Sequence, residues 1–167
     1  PLAARRGALA LAVLALGSYM IYSNAETYFI RQASNDRVWY EYNGIETAAA
    51  YRMKEAFAAG DSIYGSVYLN NHIVIQFLAP EIAGAQTLIP PTGFPLSETG
   101  DKPVTILVDR SSTWILDQIK LFYPNAQTRI DTAPSGDPAL YTVTIPASDI
   151  QRLQGVETRY WAGPTPA

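Results

Sequence analysis

PVTILVD, Pro103 to Asp109, is apolar almost without interruption. That is the composition of a strand covered on both faces, not of one with a wet side. A strand roofed twice needs helices above and below it, so this segment argues an α/β layer structure. Downstream, Ser111 or Ser112 is placed to cap a helix in which Ile115, Ile119 and Phe122 form a buried stripe, and Pro124 ends it. Ala126 to Asp131 reads as a weaker strand. Beyond the turn residues Ala133 to Pro138, LYTVTI (Leu140 to Ile145) reads as a strong one. Ser148-Asp-Ile-Gln151 has the spacing of a capping box, opening a short helix that stops at Gly155.

Upstream, SIYGSVYL (Ser62 to Leu69) sets Ile63, Gly65, Val67 and Leu69 against Tyr64 and Tyr68, the alternation of a strand. Asn70-Asn71 makes a turn and cap, and HIVIQFLA then runs to Pro80 as a short helix, with strand a close alternative for its β-branched residues. Asn43-Gly-Ile-Glu46 reads as a capping box. The helix it opens carries Ile45, Ala49, Met53, Ala56 and Phe57 on one face and stops at Gly60. Glu81 to Lys102, with Pro90-Pro91, Gly93, Pro95 and Gly100, reads as a long connection. Strands and helices in succession predict a small α/β sandwich with a mixed or mainly parallel sheet.

Ahead of this domain lies GALALAVLALGSYMIY, Gly7 to Tyr22, an uncharged apolar run introduced by Arg5-Arg6. About 16 residues make roughly 24 Å of helix, and the flanks Leu2 to Ala4 and Ser23 to Ala25 extend it towards the ~30 Å hydrocarbon core. Tyr19 and Tyr22 are rings suited to a headgroup boundary. A transmembrane helix over 1–25 is the expectation. A secretory signal ending in Ser23-Asn24-Ala25 and a buried core helix are its rivals. Under either of the first two readings, arginines before the span and none immediately after it put residues 26–155 on the extracytoplasmic side of the cell membrane, with the lipid bilayer as partner. The exit aromatics Tyr28, Phe29, Trp39, Tyr40 and Tyr42 fit the core of the domain better than an interfacial belt. Pro1 in place of an initiator methionine points to a processed chain or a piece of a longer one.

The composition excludes several chemistries. Charged residues make up 16% of the chain and the net charge is −3, so there is no basic footprint for nucleic acid. The absence of cysteine removes disulfides, thiolate nucleophiles, Fe–S clusters and Cys-based zinc sites. His72 is the single histidine, and beside Asn70-Asn71 it fits a helix start better than a catalytic role. No Walker loop, dinucleotide fingerprint or His-Glu-x-x-His is present, and nothing implies a cofactor or metal. Glu46, Glu55, Asp61, Asp109, Asp117 and Asp131 show no spacing that pairs them as acid and base. One candidate ligand site remains: Asp109, Arg110, Ser111 and Ser112, at the carboxyl end of the buried strand and the start of a helix. Free amides and a helix dipole there suit an anion. An ordinary helix cap explains the same four residues.

The apolar span, its Tyr-rich exit, DRVWYEYNGIETAAAYRMKEAFAAGDSIYGSVYLNNHIVIQFLAP (Asp36 to Pro80) and PVTILVDRSSTWILDQIKLFYPNA (Pro103 to Ala126) together resemble the C-terminal end of bacterial polytopic glycosyltransferases of the dolichyl-phosphate-mannose:protein mannosyltransferase type. The resemblance implies a last membrane helix and an extracytoplasmic α/β domain. It also implies transfer of sugar from a polyprenyl-phosphate donor to an acceptor on the outer face of the membrane. The family's catalytic acidic residues belong to an early loop between membrane helices, so none carries over to a position here. Gly155-Val-Glu-Thr-Arg-Tyr-Trp-Ala-Gly163 is similar to the opening strand of a PA14-type β-sandwich, which implies a further β module beginning in the tail 156–167. Two expectations from different classes result. One is a non-catalytic domain of a lipid-linked sugar transferase. The other is a single-pass accessory or structural subunit whose outer domain binds protein subunits.

Overall fold

The structure, a computed structural model, describes residues 2–82, 86–88, 94–96 and 101–153. The expected helix stop at Gly155 and the expected β module lie outside those residues, as does much of the 81–102 connection. Five strands form one sheet: β1 (Ser62–Gly65), β2 (Gln86–Leu88), β3 (Val104–Asp109), β4 (Gln127–Thr132) and β5 (Pro138–Ile145), in the order β2-β1-β3-β5-β4. β1 runs parallel to β2 and β3, and β5 runs antiparallel to β3 and β4, so the sheet is mixed. All six residues of β3 are buried, as its composition predicts.

Strand alternation sends side chains into two cores. On one face α3 (Gly44–Ala59), α4 (Val67–Asn70) and α5 (Ile73–Leu78) pack over Ile63, Leu107 and Leu140, with Ala49, Met53, Leu69 and Ile75 filling the space between. On the other, α6 (Trp114–Phe122) and α7 (Ala147–Leu153) close over Tyr64, Ile106, Val108 and Val143 through Ile115, Ile119 and Ile150. The α/β class read from the sequence is the class observed.

The N-terminal helix α1 (Leu2–Glu26) continues through a π-helical turn at Thr27–Gln32. Arg5–Gln32 is 28 residues long and apolar enough to cross a membrane by length and composition, and none of its apolar window is buried. From Leu9 to Tyr22 its large apolar side chains are between 56% and 73% exposed, on every side of the helix. The buried-core-helix reading therefore fails. The exit aromatics divide. Tyr28 and Phe29 stay exposed on the continuation of α1, and Tyr42 is exposed as well. Trp39 and Tyr40, on α2 (Asp36–Glu41), pack against the α3 core.

Several local expectations are corrected. The strand expected over Ser62 to Leu69 ends at Gly65. Ser66 makes the last ladder bond, to the Leu107 carbonyl at 3.3 Å, and the chain then coils so that Leu69 reaches the α3 core by a helical turn instead of by alternation. The box expected at Asn43 and Glu46 does not form. Asn43 is left-handed, at φ 59°, with no side-chain cap bond, and its amide is already donated to the Tyr40 carbonyl. A Cβ on Gly44 would collide with the Trp39 indole, so glycine is required where α2 folds back on α3. Gly60 ends α3 in the left-handed region as expected, at φ 83°, but Phe57 is 44% exposed and lies off the buried stripe. Neither Ser111 nor Ser112 caps α6, which starts after Thr113. Ser148 sits inside α7, whose first turn bonds the Asp149 and Ile150 amides to the Pro146 carbonyl. Within the long connection, Gln86–Leu88 adds an edge strand that sequence patterning missed.

Ile119 is 1% exposed at the centre of the α6 face. Ile119→Ala in the full chain is expected to cost about 2–5 kcal/mol in urea unfolding, and Phe57→Ala less than about 1 kcal/mol. Equal losses for the two would contradict this division of buried and exposed faces.

Candidate functional site

β1 and β3 are parallel neighbours, yet the chain leaves β1 towards α4 and α5 on one face and leaves β3 towards α6 on the other. Divergence at the carboxyl ends of adjacent parallel strands opens a crevice, the position at which α/β sheets bind ligands. Ser66, just past β1, and Asp109, the last residue of β3, meet there: the Ser66 hydroxyl donates to Asp109 Oδ2 at 2.6 Å. Asp109 Oδ1 accepts the Ser111 amide at 2.8 Å and the Ser111 hydroxyl, while Ser112 Oγ donates to Oδ2 at 3.3 Å. Asp109 is 4% exposed. Burial alone would raise its pKa. The Ser111 and Ser66 hydroxyls, the Ser111 amide and the Ser112 hydroxyl outweigh that and hold the carboxyl below its ordinary value.

The four candidate residues are thus only partly gathered. Asp109, Ser111 and Ser112 converge. Arg110 turns away to α2, where its guanidinium donates to the Tyr40 hydroxyl at 3.3 Å and lies 5.6 Å from the Tyr40 ring centroid. The Ser111 amide and the serine hydroxyls expected to hold an external anion are bonded to the protein's own carboxylate. Any incoming anion would compete with Asp109 for them.

A second buried carboxylate, Glu46, shares Tyr68 as a neighbour with Asp109. Glu46 is 3% exposed and accepts the hydroxyl of Tyr68 from α4. That bond, then burial, then the charges of Glu46 and Asp109 push the Tyr68 pKa up to about 12. His72 is itself the cap of α5, one residue beyond the expected Asn70-Asn71 cap: its Nδ1 accepts the Val74 amide at 3.4 Å. Its Nε2 faces Glu46 Oε1 at 3.8 Å. The histidine therefore addresses Glu46 and no serine, so the crevice does not assemble a Ser-His-Asp relay. Among the described residues no three His, Asp or Glu side chains converge as metal ligands. What the crevice presents is a set of oriented hydroxyls on two buried carboxylates. Its spacing from Asn43 predicts a capping role for Glu46; its partner Tyr68 lies 22 residues away, too far for a local spacing rule to find.

No family model matches this chain, and neither the curated proteins nor the solved structures compared with it give a match.

Because the Asp109 pKa is lowered on folding, the stability it contributes is present above the unfolded value of about 3.9 and is lost as pH falls through the folded value. Asp109→Asn is expected to cost about 1.5–3 kcal/mol at neutral pH, and the gap to the unsubstituted chain should close in acid below that range. A gap that does not change with pH would mean that the carboxylate charge contributes nothing.

Proposed function

We propose that this chain is a membrane-anchored extracytoplasmic domain of a polytopic glycosyltransferase using a polyprenyl-phosphate-linked sugar, with the catalytic groups elsewhere in the enzyme. The observation that carries the anchoring is α1, whose apolar side chains are exposed on all sides and are not covered by any of the described residues. A hydrocarbon environment would remove that area from water, and Arg5-Arg6 at the start of the helix favours the cytoplasmic side for its N-terminal end. Ala33 to Asn35 alone separate the end of the helix from α2. α2 in turn is fastened to the domain by Asp36 Oδ1, which accepts the Ser135 amide at 2.8 Å, and by Tyr40 against Arg110. With α1 in the bilayer, the crevice end of the sheet is the end nearest the lipid. The transferase assignment itself is supported by the resemblance over Asp36 to Pro80 and Pro103 to Ala126, and by the α/β domain that follows an apolar helix.

The chain has no cysteine, so single cysteines report topology without background. Asp137→Cys, in the exposed β4–β5 turn, should react with a membrane-impermeant maleimide in intact spheroplasts, and Ala4→Cys only after lysis. The reverse pattern, or release of the α/β domain into the soluble fraction, would contradict the anchoring. For the transferase, deletion of residues 36–153 from the full enzyme should lower sugar transfer in membranes. Unchanged turnover of every acceptor would leave an anchored subunit with a protein-binding role.

A further inference from the structure

The α3 face of the sheet is roofed unevenly. Near Asp109 its strands carry Leu107 and Leu140 into the core. Two residues along each strand, on the same face, stand Thr105 and Thr142, and Thr144 pairs with Thr105 beyond them. The floor there changes from aliphatic to hydroxyl. Above it α3 presents Ala56 and Ala59 and then ends at Gly60, which leaves a groove of about 360 Å3 between the helix and β3, β5 and β4. The groove lies at the end of the sheet opposite the Asp109 crevice.

Its polar groups are not all satisfied from within. Thr105 Oγ1 donates to Asp61 Oδ2 at 2.7 Å and lies 3.3 Å from Thr144 Oγ1. Thr142 is 8% exposed, and its Oγ1 has no hydrogen-bond partner among the described residues. A buried hydroxyl left without a partner is costly, and Thr142 is one of the residues that line this groove. The charges at the rim largely cancel. Arg52 is engaged by Asp131 and by Glu55, and Arg129 lies 3.6 Å from Glu55. Two guanidinium groups against three carboxylates, Asp61 included, leave no surplus cation to hold a phosphate or another anion. Hydroxyl, amide, carboxylate and guanidinium groups side by side offer donors and acceptors in alternation.

We infer that this groove is a binding site for a neutral, hydroxyl-rich ligand, a mono- or disaccharide. Each sugar hydroxyl both donates and accepts, as the threonine floor and its charged rim do, and the volume falls at the small end of ligand pockets. The site stands independently of the transferase reading, since it needs neither a membrane partner nor a reaction.

The test is titration of the purified full chain, in a detergent that carries no sugar, with glucose, mannose, galactose, N-acetylglucosamine and maltose, read by saturation-transfer NMR and calorimetry. At least one of these should bind, and inorganic phosphate should not compete. Thr142→Val, which keeps the shape and removes the hydroxyl, should weaken that binding roughly tenfold without lowering the unfolding midpoint. Ala59→Leu, which fills the groove from the helix side, should abolish it. Because Ala59 is exposed, that variant should also fold, so the two substitutions probe floor and wall separately. Absence of binding for all five sugars at tens of millimolar would overturn the inference. So would binding that neither variant changes, or displacement of the sugar by phosphate.

Discussion

A strand buried on both faces must bring its polar backbone and its last residue to a place where they can be satisfied. β3 does so through Asp109. One carboxylate ties the end of β3 to the residue after β1 by way of Ser66, and holds the first turn towards α6 by way of Ser111 and Ser112. Those bonds fix the point where the chain parts to opposite faces of the sheet. Both cores are laid out from that point, α3 to α5 on one side and α6 with α7 on the other. The same carboxylate accounts for the absence of the expected serine cap. It accepts the Ser111 and Ser112 hydroxyls, which are thereby turned back to the end of β3 and away from α6.

The parts of the fold that were legible in the sequence are those set by side-chain period and by backbone-limited residues. PVTILVD declared a doubly covered strand, Ile115 and Ile119 declared the inner face of α6, and Gly60 stopped α3 where only a left-handed residue could. The parts that were not legible depended on a partner supplied from elsewhere. Asn43 and Glu46 have the spacing of a capping box, but the Asn43 amide is spent on Tyr40 and Glu46 is claimed by Tyr68. Tyr64 and Tyr68 look equivalent in alternation, yet one fills the α6 core and the other sits on a helical turn. β2 has three residues and pairs along one edge only, too short for any period to register.

The candidate site follows the same division. Asp109 to Ser112 stood out because strand end and helix start adjoin in sequence. That Ser66 lies beside them is a property of the sheet order, and that Glu46, Tyr68 and His72 gather nearby is a property of how the helices pack on it; no local pattern encodes either. The threonine groove was invisible for the opposite reason. Thr105, Thr142 and Thr144 are good strand formers, and their placement on one face beneath two alanines of α3 appears only once the register is known. The domain therefore has two polar ends. One is tied to the exit of the apolar helix and the other is open to water, with an aliphatic core between them.

Under the proposed anchoring, the attachment of α2 beside Arg110 and Ser135 turns the Asp109 end of the sheet to the lipid. Nitroxide labels on single cysteines at Ser135 and at Asn125, in the full chain reconstituted into lipid nanodiscs, measure this directly through their accessibility to oxygen and to a water-soluble relaxant. The two positions flank β4, roughly 20 Å apart along the strand. The Ser135 label should lie nearer the headgroups and the Asn125 label in open water. Equal depth for the two, or Asn125 closer to the lipid, would contradict it.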